Sequence, residues 1–329
     1  MKRVLPKAET YAEGILKGDR VMLGRAITLV ESTHPEHQML AQEVLERCLP
    51  HTGNSVRIGI TGSPGVGKST FIESFGSWLI AGCGRKIAVL AIDPTSHISK
   101  GSILGDKTRM SRLAMNADAF IRPSPARGSL GGVASHTREA MLLCEAAGFD
   151  TLIVETVGVG QSEVSVHSMV DFFLLLLLPG AGDELQGIKR GIVEMADLIA
   201  INKADGERVE AANLARREYS RALHLFQPKA SGWMPQVITC SAMSGDGIGA
   251  AWEQVSNFES LTRQNGWREF HRHQQLKNWF SDLLEQGTGQ LFRHHPAIRE
   301  NLPRIEKKVM EGKISPTRGA AELFRLFTS

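Results

Sequence analysis

The sequence predicts an α/β fold: a mainly parallel sheet with helices on both faces, carrying an N-terminal helical preface and a C-terminal helical arm. Three observations predict it. From Val56 onward short apolar runs alternate with helical stretches, the pattern of a sheet whose crossovers are helices. One run opens directly into a glycine-rich turn that ends in Gly67, Lys68 and Ser69. Another, residues 172–178, is apolar throughout, as a strand buried on both faces is.

The elements follow in order. Residues 8–50 carry a helical pattern through Ile15, Leu23, Ile27, Val44 and Leu45, broken near Thr33, His34 and Pro35. Strands are expected at 56–61, 87–92, 151–154, 170–178, 198–201 and 237–239. After about Ser260 the strand signal stops, and amphipathic segments follow around 279–284, 305–310 and 320–327. Gly312 reads as a helix stop, and Ser315 with Pro316 as the next start. The expected organisation is therefore a helical segment at 1–54, a nucleotide-binding core at 55–262 and a helical arm at 263–329.

Composition narrows the function classes. Across 329 residues, 38 Lys and Arg stand against 35 Asp and Glu, a net charge of +3 without the dense basic runs of an obligate nucleic-acid binder. The apolar run 172–178 is far short of the roughly 20 residues that span a bilayer, so no membrane insertion is expected. Lys2, Arg3 and Lys7 are followed by no apolar leader, and Glu9 and Glu13 argue against a transit peptide; a cytoplasmic location is expected. Cys48, Cys83, Cys144 and Cys240 are scattered, as reduced structural thiols are.

The strongest chemical signal is Gly62-Ser63-Pro64-Gly65-Val66-Gly67-Lys68-Ser69-Thr70, a full G-x-x-x-x-G-K-[ST] phosphate loop between a strand and a helix. Its glycines let backbone N–H groups converge on phosphate oxygens, and the helix N-terminus adds its positive dipole end. Lys68 is expected to bridge the β- and γ-phosphates and Ser69 to hold Mg²⁺. Asn202-Lys203-Ala204-Asp205 follows a strand and so should lie at its carboxyl end, where open α/β sheets bind ligands. The Asp205 carboxylate can accept from both the ring N–H and the exocyclic amino group of guanine, a donor pair adenine lacks, which favours GTP over ATP. Cys240-Ser241-Ala242, after another apolar run, matches the SA element beside guanine in proteins with NKxD.

Acidic residues for the metal and the attacking water lie between these motifs. Glu155 ends a strand and is followed by Gly158, the slot where many GTPases carry D-x-x-G. Glu155 could hold Mg²⁺ through water while the Gly158 amide meets the γ-phosphate. Val159 stands where Ras-like proteins place the Gln that positions water, so slow intrinsic hydrolysis, completed by a partner, is expected. Asp93 and Asp106 are the other candidates for catalysis and for Mg²⁺. A polar, glycine-containing cluster at 180–189 includes Asp183, Glu184, Gln186 and Lys189.

GSPGVGKST at 62–70, AIDPTS at 91–96, GSILGDKTRM at 101–110, IVETVGVGQSE at 153–163, GDELQGIKRG at 182–191 and NKAD at 202–205 together resemble the MeaB/ArgK-type GTPases. These P-loop NTPase-type proteins are associated with cobalamin-dependent methylmalonyl-CoA mutase. The resemblance implies a homodimeric GTPase that binds the mutase, gates adenosylcobalamin loading, and protects or reactivates the enzyme. It also implies three switches, around Asp106, around 155–161 and around 183–189, the third relaying nucleotide state to the mutase, with the C-terminal helices as dimerisation arm. No D-x-H-x-x-G cobalamin motif occurs, so adenosylcobalamin would belong to the partner. An older label for the family, a kinase tied to basic amino acid transport, would require ATP, against the NKAD reading. A metallochaperone GTPase is the other alternative, and its only compact His groups are His271 with His273 and His294 with His295. A module that holds GTP without turnover is a third.

Overall fold

A computed structural model describes residues 5–93, 110–125, 130–156, 162–180 and 190–328. The chain forms two compact units, Met1–His273 and Gln274–Ser329. The first contains a seven-stranded sheet in the order β3-β2-β4-β1-β5-β6-β7. Its strands are β1 Val56–Gly62, β2 Ile87–Asp93, β3 Ala119–Pro125, β4 Thr151–Thr156, β5 Phe172–Leu177, β6 Leu198–Ile201 and β7 Gln236–Thr239. Every pairing is parallel. The expected α/β class holds, with one strand more than the apolar runs predict. β3 escaped them because Arg122, Pro123 and Pro125 interrupt its apolar pattern; as an edge strand paired only with β2, it tolerates prolines that an interior strand would not.

Alternate side chains feed two layers. On one face Ile58, Ile60, Val89, Ile153, Phe172 and Leu174 pack against Phe71, Phe75 and Leu79 of helix Lys68–Cys83 and against Val255 and Phe258 of helix Ile248–Gln264. On the other, Leu90, Leu152, Val154 and Phe173 meet helix Leu130–Ala146, while Leu175, Leu177, Ile199 and Ile201 meet helix Val209–Leu223. The preface forms three helices, Ala8–Leu16, Arg20–Val30 and Pro35–Cys48, with Asp19 capping the second through the Val21 and Met22 amides. Their buried Tyr11, Ile15, Leu23, Ile27 and Val44 join the same cluster as Leu90 and Val154, so the preface completes the core and is no appendage.

β1 lies centrally, with β2 and β3 reached on one side and β5, β6 and β7 on the other. Its carboxyl end is therefore at the switch point of the sheet, the crevice where such folds bind ligands. At the opposite, amino ends of the central strands a buried ionic cluster ties several elements together. Asp171, preceding β5, accepts from Arg272 Nε at 2.8 Å and Nη2 at 2.7 Å, and from the Arg57 amide at 2.9 Å. Glu145 accepts from Arg57 Nε at 2.8 Å and Nη2 at 3.0 Å, from Ser55 Oγ and from the Gly53 amide. Burial alone would raise both carboxyls, but the arginine hydrogen bonds and charges hold Asp171 and Glu145 below the ordinary carboxylate range.

Helix Trp267–His294 begins in the first unit and ends in the second. Helices Pro296–Met310 and Pro316–Thr328 follow it, the latter starting at the Ser315-Pro316 signal. In the second unit Ile298, Ile305 and Leu323 are buried, and Phe292 packs its ring 5.2 Å from those of Phe324 and Phe327. Leu276, Phe280, Leu284 and Leu291 are all more than half exposed.

Candidate nucleotide site

Helix Lys68–Cys83 starts at the end of the glycine turn because Gly67 takes φ +95°, a left-handed conformation closed to most side chains. Glycine is doubly required there: a Cβ would come within 2.9 Å of Asn202 Nδ2. Lys68, 9% exposed, donates from Nζ to the carbonyls of Gly62 at 2.7 Å and Ser63 at 3.2 Å. Burial pushes its pKa down, while the charges of Glu155 and Glu163 pull it back up. The ammonium thus lies against the loop that would cradle phosphates, inside the field of two carboxylates.

Ser69 Oγ donates to Glu155 Oε1 at 3.1 Å. The two come from different elements, the first turn of the helix and the carboxyl end of β4, where Glu155 stands in register between Ile60 of β1 and Ala91 of β2. A hydroxyl and a carboxylate converging next to a phosphate loop form the hard oxygen set that suits Mg²⁺. Thr156 Oγ1 donates to Thr61 Oγ1 at 2.8 Å, fastening β4 to β1 one residue before the loop.

The two base motifs, far apart in sequence, meet at the loop. Asn202 donates from Nδ2 to the Val66 carbonyl at 2.8 Å and accepts at Oδ1 from the Ala242 amide at 3.1 Å. Lys203 stretches across the loop to the Gly65 carbonyl at 2.8 Å and is, among the described residues, the one non-glycine with positive φ, +61°. Ser241 Oγ donates to Asp205 Oδ2 at 2.5 Å, fixing the carboxylate expected to read guanine. Cys240 is buried, its thiol pushed up to about 12 by desolvation, and it reaches Asn202 Oδ1 at 3.7 Å.

The structure therefore brings together the phosphate loop, Glu155, Asn202, Lys203, Asp205 and Cys240 to Ala242. Pro64, Gly65 and Thr70 are exposed at its rim. Asp93 ends β2, with its side chain outside the described residues. Asp106, Gly158, Asp183, Glu184, Gln186 and Lys189 also lie outside them. Sequence reasoning missed Glu163, which is 1% exposed yet acts electrostatically on Lys68, and the Thr61 to Thr156 bond. It missed Glu73 too, whose buried carboxylate accepts from the Arg112 amide at 2.8 Å and so anchors helix Ser111–Met115 on the phosphate-loop helix. Only Glu163 had a signal, an acid two residues past Gln161 in a quoted motif.

Two of the four candidate histidines pack against aromatic rings. His271 stacks on Trp267 with centroids 5.6 Å apart and is pushed down by burial, and His295 meets the Phe327 ring edge-on. Among the described residues no three His, Cys, Asp or Glu side chains gather as a metal-holding group.

Residues 23–296 match the family described as methylmalonyl Co-A mutase-associated GTPase MeaB. The chain belongs to that family. A putative GTPase of Caulobacter vibrioides is 50% identical over 95% of this chain and 95% of its own. The methylmalonic aciduria type A homolog, mitochondrial, of Mus musculus is 47% identical over 96% of this chain and 78% of its own. Among solved structures, that of a LAO/AO transport system kinase superposes with a TM-score of 0.79 at 37% identity, covering 99% of this chain and all of that one. Among the described residues no helix is long and apolar enough to cross a membrane.

Proposed function

We propose that this chain is a GTP-binding and GTP-hydrolysing chaperone of cobalamin-dependent methylmalonyl-CoA mutase, gating adenosylcobalamin loading and protecting or reactivating the mutase. The observation that carries the nucleotide part is the Ser241-held carboxylate of Asp205 beside a phosphate loop that Asn202 and Lys203 both grip. The family description supports the mutase part.

In this reading the backbone N–H groups of Ser63 and of Gly65 to Thr70 bind the phosphates, and Lys68 moves from the loop carbonyls to the β- and γ-phosphate oxygens. Ser69, Glu155, Asp93 and Asp106 would hold Mg²⁺, which when bound neutralises phosphate charge as the γ-phosphoryl leaves. Glu155, Asp93 or Asp106 orients the attacking water, the Gly158 amide meets the γ-phosphate, and Asp205, Ser241 and Ala242 line the base. Without a Gln after Gly158 the intrinsic rate is slow, and the mutase speeds it. Asp183, Glu184, Gln186 and Lys189 form the switch that reports nucleotide state to the mutase.

The chain acts as a cytoplasmic homodimer. A three-residue buried core is small for the second unit, and the exposed Leu276, Phe280, Leu284 and Leu291 follow one another at near-helical spacing, offering apolar surface to a second copy. The test is GTP turnover by purified protein, alone and with an added cobalamin-dependent acyl-CoA mutase, beside a pull-down of the mutase. Stimulated turnover with complex formation is expected; unchanged turnover and no complex would remove the mutase as client. An ATP-dependent kinase remains as second reading because of the solved relative's description. ATP binding as tight as GTP binding would favour it.

A further inference from the structure

Ser74 lies on the phosphate-loop helix, outside every nucleotide motif, and its hydroxyl donates to the Ala242 carbonyl at 2.5 Å. The same Ala242 peptide group donates its N–H to Asn202 Oδ1 at 3.1 Å, and Asn202 in turn donates to the Val66 carbonyl at 2.8 Å. These bonds close a ring: phosphate loop, Asn202, Ala242, Ser74, and back along the helix that the loop begins.

The base loop has little other freedom. Ser241 N–H donates to the Asp246 carbonyl and Gly245 N–H to the Ser241 carbonyl, both at 2.9 Å. Gly247, φ +73°, closes the turn so tightly that a Cβ would come 2.3 Å from the Thr239 carbonyl oxygen. The loop is therefore braced internally and tied to the NKAD segment, where the Ala204 N–H donates to the Cys240 carbonyl at 3.0 Å, while Ser74 ties its Ala242 end to the phosphate-loop helix. One helical turn past Ser74, the Trp78 ring lies against Gly249, where a Cβ would be 3.2 Å away. Two successive turns of the phosphate-loop helix thus seat both ends of the base loop.

We propose that Ser74 is a positioning residue for guanine recognition. By holding the Ala242 carbonyl it fixes the tilt of the loop, which sets Ser241 against Asp205 and aims that carboxylate at the base. The inference rests on the guanine reading of Asp205 above. Loss of the Ser74 hydroxyl weakens the base contacts and leaves the phosphate contacts, which belong to Lys68 and the loop amides, in place.

The test compares binding of guanosine diphosphate and inosine diphosphate, which lacks the exocyclic amino group that Asp205 accepts from. Wild type should prefer GDP by about tenfold, the size of one charge-assisted hydrogen bond. In Ser74→Ala, GDP binding should weaken about fivefold and IDP, which keeps only the ring N–H, by a smaller factor of about twofold, narrowing the preference. Ser74→Thr, which keeps the hydroxyl, should restore it. Equal weakening of both nucleotides would mark Ser74 as a structural residue only and overturn the proposal, as would no change in either. A wild type that binds both equally would overturn the guanine reading itself, a failure seen before any variant is made.

Discussion

The two ends of the central strands hold their buried charges in opposite ways. At the amino ends, Arg272 grips Asp171 through two nitrogens and Arg57 grips Glu145 likewise, and both carboxyls are held below their usual range. At the carboxyl ends, Lys68 rests on two neutral carbonyls and is pushed down by burial. A charge satisfied by a bidentate opposite charge is structure; one held by neutral acceptors can exchange them for a ligand at small cost. The contrast teaches where stability and where binding reside in one sheet.

Breaking the amino end should have the largest effect. Arg272→Ala leaves Asp171 buried with one of its three hydrogen bonds, that from the Arg57 amide, and about 3–5 kcal/mol of stability should be lost in urea unfolding. GTP affinity of the folded fraction should stay within about twofold, the interaction lost being at the opposite ends of the strands from the phosphate loop. Lys68→Ala should do the reverse, weakening GTP binding about a hundredfold in equilibrium titration while the melting temperature stays or rises, since a desolvated charge is removed. If that variant binds GTP as wild type does, the assignment of Lys68 to the phosphates fails.

Glu155→Gln sharpens the contrast within the site. The Ser69 hydroxyl keeps an acceptor, yet the negative charge is gone, so Mg²⁺-dependent turnover should fall about tenfold to a hundredfold with GTP binding in EDTA unchanged. The pH dependence separates the ends again. Asp171 and Glu145 have folded pKa values below their unfolded ones, so the unfolded chain binds more protons in acid. Their stabilisation is complete above the ordinary carboxylate pKa near 4 and drains away as pH falls through the lowered folded values. Arg272→Ala should flatten that acid limb, and Lys68→Ala should leave it unchanged. The smallest expected effect is at Cys240, whose raised thiol pKa predicts no labelling by a thiol reagent under conditions that modify exposed Cys83.

What could be read beforehand divides along the same physical line. Local chemistry is legible: a phosphate loop needs its glycines and lysine contiguous because backbone amides do the binding, and NKAD needs its spacing to leave a strand. Parallel strands buried on both faces announce themselves by unbroken apolar runs such as 172–178. The interrupted run of β3 did not, because its position at the sheet edge, which excuses its prolines, is a fact of pairing and not of pattern.

The sequence by itself determined the fold class and made the phosphate-loop and NKAD motifs legible, since each motif rests on groups close together along the chain. Only the tertiary structure decided that Ser69 meets Glu155, that Ser74 holds Ala242, that the preface completes the core, and that residues 53–57, Glu145, Asp171 and Arg272 lock the amino ends of the central strands. Those contacts join residues dozens to hundreds of positions apart, and a hydrogen bond depends on where folding brings two atoms, which no local pattern of residue types encodes.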